Sequence, residues 1–551
     1  MPFSRSKMSN GGLASDNQGD DQPIVAISTS EDAELGALSA PLGADLSLEQ
    51  VARVVWRALD LDTSPRNLRA IVRPGDWVVV KPNIVTSRSN RESSYWDQGR
   101  PHRGQNTDLR VVKAVVEYLL EHCQPGRISI AEGGAEWWRV GEPDTPAGVT
   151  EDGWTVHWPE FGNLSYADLV SGWQATRPGL VDIVDLNYGE FRFLPVPDPA
   201  GSGIGALQRR GAERRPIDRY GRDSFVAGTG TLRTGYWVPA TVVDCDVLIS
   251  CAAFKTHLAS GTSLSIKNYV GTMEPNRQRR NFKSVAHEGE INAGFVDAFA
   301  YHPAEYAVVE GFWGTEGNGP QWGDDVQHNI VVAGSDPVAV DTVCSVIMGY
   351  NPEDLEYLQL ARRKRLGEAD LRRIQVVGKS IDAVQRPYYM GQGRSGVVYT
   401  GRGVRQWLVA SADDETRESV WTRIESPDRY VDLVYHLGHH APAVVWAYTE
   451  VECDRPLTPQ LWLGADGPAE LYREGELVQR LEPADGHCLG EARIALPLPA
   501  GRTGLLLKVR RGSQGFGFSV LLCGQPGCLP LGVHYLAPEE PKVTVARQPR
   551  A

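Results

Sequence analysis

Three lysines stand where an apolar run gives way to polar residues, in a chain that otherwise uses arginine for positive charge. The sequence contains 10 Lys against 46 Arg. Lys81 follows the run WVVV, while Lys255 and Lys267 lie in the segment DVLISCAAFKTHLASGTSLSIKNYVG, residues 246–271. Because only an ammonium loses its proton when desolvated, and only an amine attacks a carbonyl, these lysines predict a polar pocket that needs amines. The alternative is that they are paired structural lysines whose stems pack on apolar surface.

His257 follows Lys255 by two residues and is its predicted acid–base partner. Like charges crowded together lower both pKa values toward neutrality, where proton transfer is most effective. The alternative for a lone histidine is a structural role. On the functional interpretation Lys255 and His257 share the acid–base work, and Lys267 and Lys81 bind developing negative charge. A Schiff base on Lys255 or Lys267 also stays open, although the sequence identifies no acidic partner for it.

Small polar residues follow the same runs and are expected to orient a substrate. In open α/β sheets, ligands bind beyond the carboxyl ends of the strands, so the motifs K-P-N, E-G-G and S-G-T-S should converge there. A local run of positive charge at 277–287, in a negative protein, favours an anionic substrate such as a carboxylate or phosphate. The predicted substrate-binding residues are Asn83, Glu132, Thr262, Asn268 and His287.

A metal site is a competing interpretation of this region. Its candidate ligands are His257, His287, Glu310, Asp336 and Asp341, at no recognisable ligand spacing. Asp336 is explained more simply as the cap of a helix, and Asp341 is suited to orient a neighbour from within that helix. We therefore assign no metal ligand. Neither a G-x-G-x-x-G nor a Walker pattern follows a strand, so the sequence identifies no cofactor.

The elements that must position these residues alternate through the first 380 or so positions. Short apolar runs predict strands at 24–29, 76–81, 127–131, 246–250, 306–310, 329–333 and 373–377. Amphipathic patterns predict helices at 47–60, 107–122 with Thr107 as N-cap, 291–301, 336–348 and 352–365. This alternation predicts an α/β fold, a mostly parallel sheet with helices on both faces. Irregular insertions at 86–106 and 135–236 are expected to interrupt it.

The pattern changes after about residue 385. Short alternating segments over 403–537, separated by Gly, Pro and Asp, predict an all-β sandwich of jelly-roll type. The predicted organisation is a disordered leader at 1–22, an α/β catalytic domain at 23–384, a linker at 385–402, the sandwich and a tail at 538–551. A stacking platform for sugar could be built from Trp407, Trp421, Trp446 and Trp462, although core packing explains most of them more simply.

Composition narrows the classes of function. A net charge of −13 argues against nucleic-acid binding, and no apolar run reaches the about 18–20 residues of a membrane span. The first 22 residues lack the apolar core of a signal peptide, and no C-x-x-C pair occurs among the eight cysteines. We therefore expect a cytoplasmic protein with a small anionic metabolite as partner, and without nucleic-acid or membrane partners. Glycan binding through the sandwich and homo-oligomerisation stay open.

Six blocks of the α/β part together resemble the family known as domain of unknown function 362, over about residues 70–378. Among these blocks are VVVKPNIV, IAEGG and AGSDPVAVDTVCSVIMGY. The resemblance implies an α/β domain whose polar residues cluster on the KPN, KTH and KN elements, and it implies no reaction. Some relatives carry ferredoxin-like cysteine clusters that this chain lacks, so a redox role is not carried over.

The carboxy-terminal part is similar to galactose-binding-like jelly-roll modules, in GADGPAELYREGELV, PLPAGRTGLLLKV and QGFGFSVLL. Modules of that kind bind sugars or pack on a catalytic domain.

The sequence thus predicts an enzyme that acts on a small anionic or carbonyl-containing metabolite by lysine–histidine acid–base chemistry, of isomerase, lyase or transferase type. The rivals are a metal-dependent or redox enzyme, and a non-catalytic protein that binds glycan through its sandwich. The geometric prediction is that Lys81, Lys255, His257 and Lys267 converge on one cavity.

Overall fold

The computed structural model describes most of the chain, and its residues divide into two compact units. The first comprises residues 1–256, 262–344 and 360–384, and the second residues 257–261, 345–359 and 385–551. The predicted leader, most of the 86–106 insertion, most of the linker and most of the tail lie outside the described residues. The described ranges are 22–85, 103–135, 141, 153–158, 161–196, 235–275, 283, 291–320, 322–389, 401–412, 420–427, 429–438, 441–482, 486–513, 515–524 and 528–539.

Up to residue 384, strands alternate with helices. The strands are β1 Ile24–Thr29, β2 Trp77–Lys81, β3 Arg127–Glu132, β4 Val181–Asp185, β5 Phe191–Pro195, β6 Gly235–Pro239, β7 Val247–His257, β8 Gly261–Ser263, β9 Tyr306–Asn318, β10 Trp322–Val326, β11 Ile330–Gly334 and β12 Gln375–Gly378. The α-helices are α1 Leu48–Leu61, α2 Leu68–Ile71, α3 Leu109–His122, α4 Tyr166–Thr176, α5 Ala240–Asp244, α6 Ile291–Tyr301, α7 Pro337–Ile347, α8 Glu356–Arg363 and α9 Ile381–Val384.

One large sheet organises this part, in the order β12-β1-β11-β9-β7-β2-β3-β4, with β10 on β9 and β8 on β7. The pairs from β9 through β7, β2 and β3 to β4 are all parallel, whereas β11 runs antiparallel to both β1 and β9. The predicted mostly parallel α/β sheet is confirmed. Since parallel strands end at the same edge, the ends of β2, β3 and β7 lie side by side.

Apolar residues on both faces hold these strands in the interior. In β2, Val78 and Val80 pack in a core with residues of α1, α3 and α4, and the alternate Val79 is also fully buried. α1 begins where predicted, because Ser47 and Gln50 form a reciprocal capping box.

The N-cap prediction for α3 was wrong by one residue. Asp108 caps the helix by accepting from the backbone N–H of Arg110. Thr107 is used elsewhere: its hydroxyl donates to the carbonyl of Cys251 and accepts from the backbone N–H of Asn83. A threonine that joins two strand ends has the same local sequence pattern as a cap, so the two roles could not be separated beforehand.

Two further expectations are corrected. β7 and β9 extend well past 250 and 310, so that Lys255 lies within a strand and not in a loop, because pairing between β7 and β9 continues to Lys255 and Thr315. The segment 135–236 is not irregular throughout, because it contributes α4 and the edge strand β4. The apolar residues of β4 are interrupted by Asp182 and followed by Asp185, and that pattern is weaker than the continuous apolar runs of the buried strands.

Beyond residue 400 the chain is almost entirely β. The strands are β13 Gln406–Ser411, β14 Thr422–Glu425, β15 Val431–Asp432, β16 Val444–Cys453, β17 Gln460–Ala465, β18 Ala469–Arg473, β19 Glu476–Leu481, β20 Ala492–Ala495, β21 Gly501–Arg510, β22 Gly517–Cys523 and β23 Val533–Leu536, with α10 at Leu433–Leu437. They form a 7-stranded and a 4-stranded antiparallel sheet. Inward residues of both sheets share one core, which confirms the predicted sandwich.

Candidate functional site

Four buried lysines gather near the carboxyl ends of the central parallel strands. Lys81 ends β2, Lys255 lies near the end of the neighbouring β7, and Lys267 begins a 3-10 helix, Lys267–Thr272. Lys283 is the fourth, and each of the four is at most 7% exposed. We call Lys81, Lys255, Lys267 and Lys283 the lysine cluster. Four of the 10 lysines in the chain are therefore buried in this one region.

Lys81 is fully engaged by the chain. Its Nζ is 3.0 Å from Oε1 of Glu132, the last residue of β3, and 2.7 Å from Oδ1 of Asn268. It is also 3.0 Å from the carbonyl of Pro82. An ammonium has three protons to donate, so these three partners use all of them. Burial lowers the pKa of Lys81, and Glu132 acts in the opposite direction.

Glu132 and Asn268 tie the strand ends together around that amine. The carboxylate of Glu132 also accepts from the backbone N–H groups of Ile84 and Gly133. The side-chain amide of Asn268 donates to the carbonyl of Lys81 and to the hydroxyl of Ser250. Both predicted substrate-binding residues therefore have several partners within the protein.

Two glycines allow the chain to approach this ion pair closely. A Cβ at Gly271 would lie 2.6 Å from Nζ of Lys81 and 2.4 Å from Oε1 of Glu132. A Cβ at Gly133 would lie 3.0 Å from Nζ of Lys283. Since non-bonded atoms repel at such distances, the glycines of the E-G-G and Y-V-G motifs are explained by packing against the lysine cluster.

Lys255 is placed differently. Its amine donates to Oδ1 of Asn83, and the described residues include no carboxylate that forms an ion pair with it. Burial lowers the pKa of Lys255 to about 7, and the positive charges of Lys267 and Lys81 act in the same direction. Glu310 opposes this shift. Asn83 is itself held by Thr107, so the acceptor that orients Lys255 is fixed to the end of β2.

Lys267 lacks a polar partner altogether within the described part of the chain. The nearest group described for its Nζ is the ring of Phe295, 6.0 Å away. Burial lowers the pKa of Lys267 to about 8. Its position is set by Asp341 of α7, which accepts from the backbone N–H groups of Ser265 and Ile266 just before it. The prediction that Asp341 orients a neighbour is confirmed.

Glu310 supplies a buried carboxyl group near Lys255. Its oxygens accept from the backbone N–H groups of Asp108 and Phe312, and the side chain is fully buried. Burial and the negative charge of Asp108 raise the pKa of Glu310 to about 8. At neutral pH this carboxyl therefore holds a proton that it can donate, while the Lys255 amine is partly unprotonated and can accept one.

Three further predicted residues are His257, Thr262 and His287. Nδ1 of His257 accepts from the backbone N–H groups of Ala259 and Ser260, which shapes the turn after β7. His257 belongs to the second compact unit, so its partnership with Lys255 stays a prediction. Thr262 is fully buried in β8. His287 lies outside the described residues.

The structure describes no group of three His, Cys, Asp or Glu side chains arranged to hold a metal ion within the ranges given above. Asp336, one of the candidate ligands, accepts from the backbone N–H groups of Val338 and Ala339 at the start of α7. The predicted cap is confirmed.

Sequence reasoning did not assign Lys283 or Glu310 to this site. Lys283 donates to the carbonyl of Met273, and burial lowers its pKa to about 7. It was hidden among the arginines of 277–287, although the rarity of lysine could have singled it out. Glu310 was considered only as a metal ligand, because nothing in its local sequence shows that Asp108, some 200 residues away, comes close to it.

In the sandwich, the four predicted tryptophans do not form one platform. Trp407 is fully buried against Phe518, and Trp462 is 7% exposed beneath the guanidinium of Arg493. Trp446 remains partly exposed beside Tyr472. Core packing therefore accounts for Trp407 and Trp462, as expected, and glycan binding stays a prediction.

Comparisons with known proteins match parts of the chain. Residues 201–346 match the family described as Domain of unknown function (DUF362), a shorter stretch than the 70–378 expected from the motifs. A thylakoid-associated protein of Synechocystis sp. is 26% identical over 130 residues, which are 23% of this chain and 39% of that protein. The chain thus matches about two fifths of this relative's length. None of the helices that the structure describes is long and apolar enough to cross a membrane.

Solved structures resemble the two parts only distantly. The lactate racemase apoprotein from Thermoanaerobacterium thermosaccharolyticum is 11% identical with a TM-score of 0.25, over 59% of this chain and 57% of that one. A family 35 carbohydrate binding module from an environmental isolate is 10% identical with a TM-score of 0.15, over 26% of this chain and 98% of the module. At these scores neither comparison carries an argument about function.

Proposed function

We propose that the chain is an enzyme that binds a small anionic or carbonyl-containing metabolite at the lysine cluster and acts on it by acid–base chemistry. The observation that carries the proposal is the pair of buried amines, Lys255 and Lys267, for which the described residues provide no carboxylate within ion-pair distance. Burying an ammonium without a counter-charge is costly, and an anionic ligand would remove that cost. A chain that had only to fold could have used apolar residues at both positions.

The lysines have separate roles in this proposal. Lys81 and Glu132 form a fixed internal ion pair that positions the strand ends. Lys267 supplies free donors for the negative charge of the ligand. Lys255, oriented by Asn83, accepts a proton from the substrate, and the protonated carboxyl of Glu310 returns one. His257 is retained as a further acid–base group on sequence grounds alone, and an isomerase, lyase or transferase reaction would suit these groups.

Ligand-induced thermal stabilisation tests the proposal. We expect small carboxylates and phosphates, with oxalate and inorganic phosphate as first probes, to raise the melting temperature, and neutral sugars of similar size to leave it unchanged. Lys267→Met should lose most of the shift, because it removes the amine that lacks an internal partner. Lys113→Met is the matched control, since Lys113 lies on α3 and forms an exposed pair with Glu117.

Equal stabilisation of the wild type and Lys267→Met by every anion would contradict binding at the lysine cluster. So would a response to sugars alone, which would favour the sandwich as the binding part.

A further inference from the structure

We propose that Lys255 forms an imine with a substrate whose ketone or aldehyde carbon is bonded to a carboxylate, a 2-oxo acid, and that Lys267 holds the carboxylate. This inference rests on the proposed function, because it takes the lysine cluster to be an anion site. It goes further by naming the substrate class and the covalent intermediate, and it makes Lys255 the nucleophile in place of the general base.

The hydrogen bonds single out Lys255 as the nucleophile. The amine of Lys81 has all three donors occupied by Glu132, Asn268 and Pro82, and it would have to break an ion pair to react. Among the described residues, Lys255 has one hydrogen bond, to the neutral acceptor Oδ1 of Asn83. A neutral amide acceptor does not favour the ammonium as a carboxylate would, so the reactive free amine is accessible near neutral pH.

Lys267 is suited to bind the carboxylate of the substrate, because its amine is not engaged by an acceptor of the described residues. Its Nζ has no hydrogen-bond acceptor within the described part of the chain, and the face of the Phe295 ring 6.0 Å away cannot replace a counter-ion. The clamp of Asp341 on residues 265–266 fixes the backbone beside it. The positive charge of Lys267 also keeps its neighbour Lys255 unprotonated, as a second cationic group does for other reactive lysines.

The chemistry balances with groups that are already present. The lone pair of the Lys255 nitrogen attacks the carbonyl carbon, a C–N bond forms, and the carbonyl oxygen takes a proton to become a hydroxyl. That hydroxyl accepts a second proton and leaves as water, while the nitrogen gives up the two protons of the amine as the C=N bond forms. Glu310, whose pKa is raised to about 8, is the buried acid in this region that is protonated at neutral pH. When the imine nitrogen takes up one proton again, from the Glu310 carboxyl, the resulting iminium accepts electrons from an adjacent C–H or C–C bond, as isomerases and lyases require.

Reductive trapping tests the inference. The full-length protein is incubated with pyruvate or 2-oxoglutarate and sodium borohydride, and the intact mass and the modified peptide are measured. We expect one adduct on Lys255, with a mass gain equal to that of the oxo acid less one oxygen atom. Lactate, which lacks the carbonyl, and acetone, which lacks the carboxylate, should give no comparable adduct.

Three variants sharpen the result. Lys255→Arg should reduce trapping by more than about tenfold, because a guanidinium is never deprotonated in proteins. Lys267→Met should still form the adduct but need about tenfold more oxo acid, as expected for the loss of one charge-assisted hydrogen bond. Lys113→Met should behave as the wild type. Adduct on an exposed lysine, undiminished trapping in Lys255→Arg, or no trapping at all would overturn the inference.

The two proposals fail separately. If oxalate still raises the melting temperature but no oxo acid is trapped, the anion site stands and the imine does not. If oxalate has no effect and nothing is trapped, both are wrong.

Discussion

Buried positive charge is treated in opposite ways in the two units. In the second unit, Nε of Arg402 and Nη2 of Arg405 both lie 2.8 Å from Oε2 of Glu356, so two cations share one carboxylate. The backbone N–H of Arg402 also donates to the buried carboxylate of Asp354. In the first unit, Lys255 and Lys267 are at least as deeply buried, and neither forms an ion pair with a carboxylate of the described residues.

On the proposed function, this difference separates charges that hold the fold from charges held for a ligand. Arginine binds carboxylates through a rigid fork and keeps its charge at any pH, which suits an internal ion pair. Lysine can lose its proton when buried, which suits a site that must accept protons or react. The lysine cluster contains both a lysine in an ion pair and a lysine without one, because Lys81 is paired like the arginines and Lys255 is not.

The largest expected effect comes from breaking the internal pair within the lysine cluster. Lys81→Met should lower the free energy of unfolding by about 3–5 kcal/mol, because it leaves Glu132 buried without a counter-charge. Lys255→Met should change it by less than about 1 kcal/mol, or increase it, because no carboxylate is left behind and methionine has a similar volume. Urea denaturation of both variants measures the contrast. Equal destabilisation would mean that Lys255 is a structural lysine after all.

The next effect concerns pH. Burial lowers the pKa of Lys255 from 10.5 to about 7, so between these values the unfolded chain binds more protons than the folded protein. The free energy of unfolding should therefore rise with pH, by up to about 1.4 kcal/mol per pH unit for each such lysine. Glu310 makes the free energy of unfolding fall with pH, but only between pH 4.5 and about 8, where the folded protein binds more protons than the unfolded chain. In the window from pH 8 to 9.5 Glu310 no longer contributes, whereas His302 and His534, whose pKa values are raised to about 10 and about 9, still oppose the lysines. The effect of Lys255 is therefore read from the difference between the wild type and Lys255→Met.

Within that window, Lys255→Met should flatten the rise by about 1 kcal/mol per pH unit relative to the wild type. Lys113→Met, at a partly exposed pair on α3, is the control variant. Denaturation series at three or four pH values provide the measurement. Identical slopes for the wild type and Lys255→Met would show that the buried amine titrates at its ordinary pKa.

The smallest effect should come from the second unit. Arg402→Lys keeps the charge but replaces the planar fork, and we expect a loss of about 1 kcal/mol, since Arg405 still neutralises Glu356. This loss should not vary between pH 7 and 9. A loss of stability that grew with pH would mean that a lysine at position 402 also titrates in that range. The two units would then differ only in using arginine or lysine, and not in how they pair a buried charge.

The sequence allowed the fold class and three of the clustered lysines to be predicted, because both depend on local signals. Continuous apolar runs predicted the buried strands, and the scarcity of lysine marked Lys81, Lys255 and Lys267. What it could not provide were contacts between distant segments. The partners of Lys81, namely Glu132 and Asn268, lie 51 and 187 residues away, and only the parallel register of β2, β3 and β7 brings them together.

For the same reason the sequence could not distinguish a paired lysine from an unpaired one. Lys81 and Lys255 both follow apolar strand residues, yet one meets a carboxylate and the other an amide. The extension of β7 to His257 was also missed, because its polar residues Lys255 and Thr256 are characteristic of a loop until the neighbouring strand β9 is known.

The most direct measurement is the titration of the lysines themselves. With only 10 lysines in the chain, carbon-13 labelling at Cε gives a resolvable spectrum, and Lys255→Arg and Lys267→Arg assign the two signals. We predict that the pKa of Lys255 is near 7 and that of Lys267 near 8, and that saturating oxalate raises both. If Lys255 and Lys267 instead titrate near the ordinary lysine pKa of about 10.4 and do not respond to oxalate, the unpaired amines are not a ligand site.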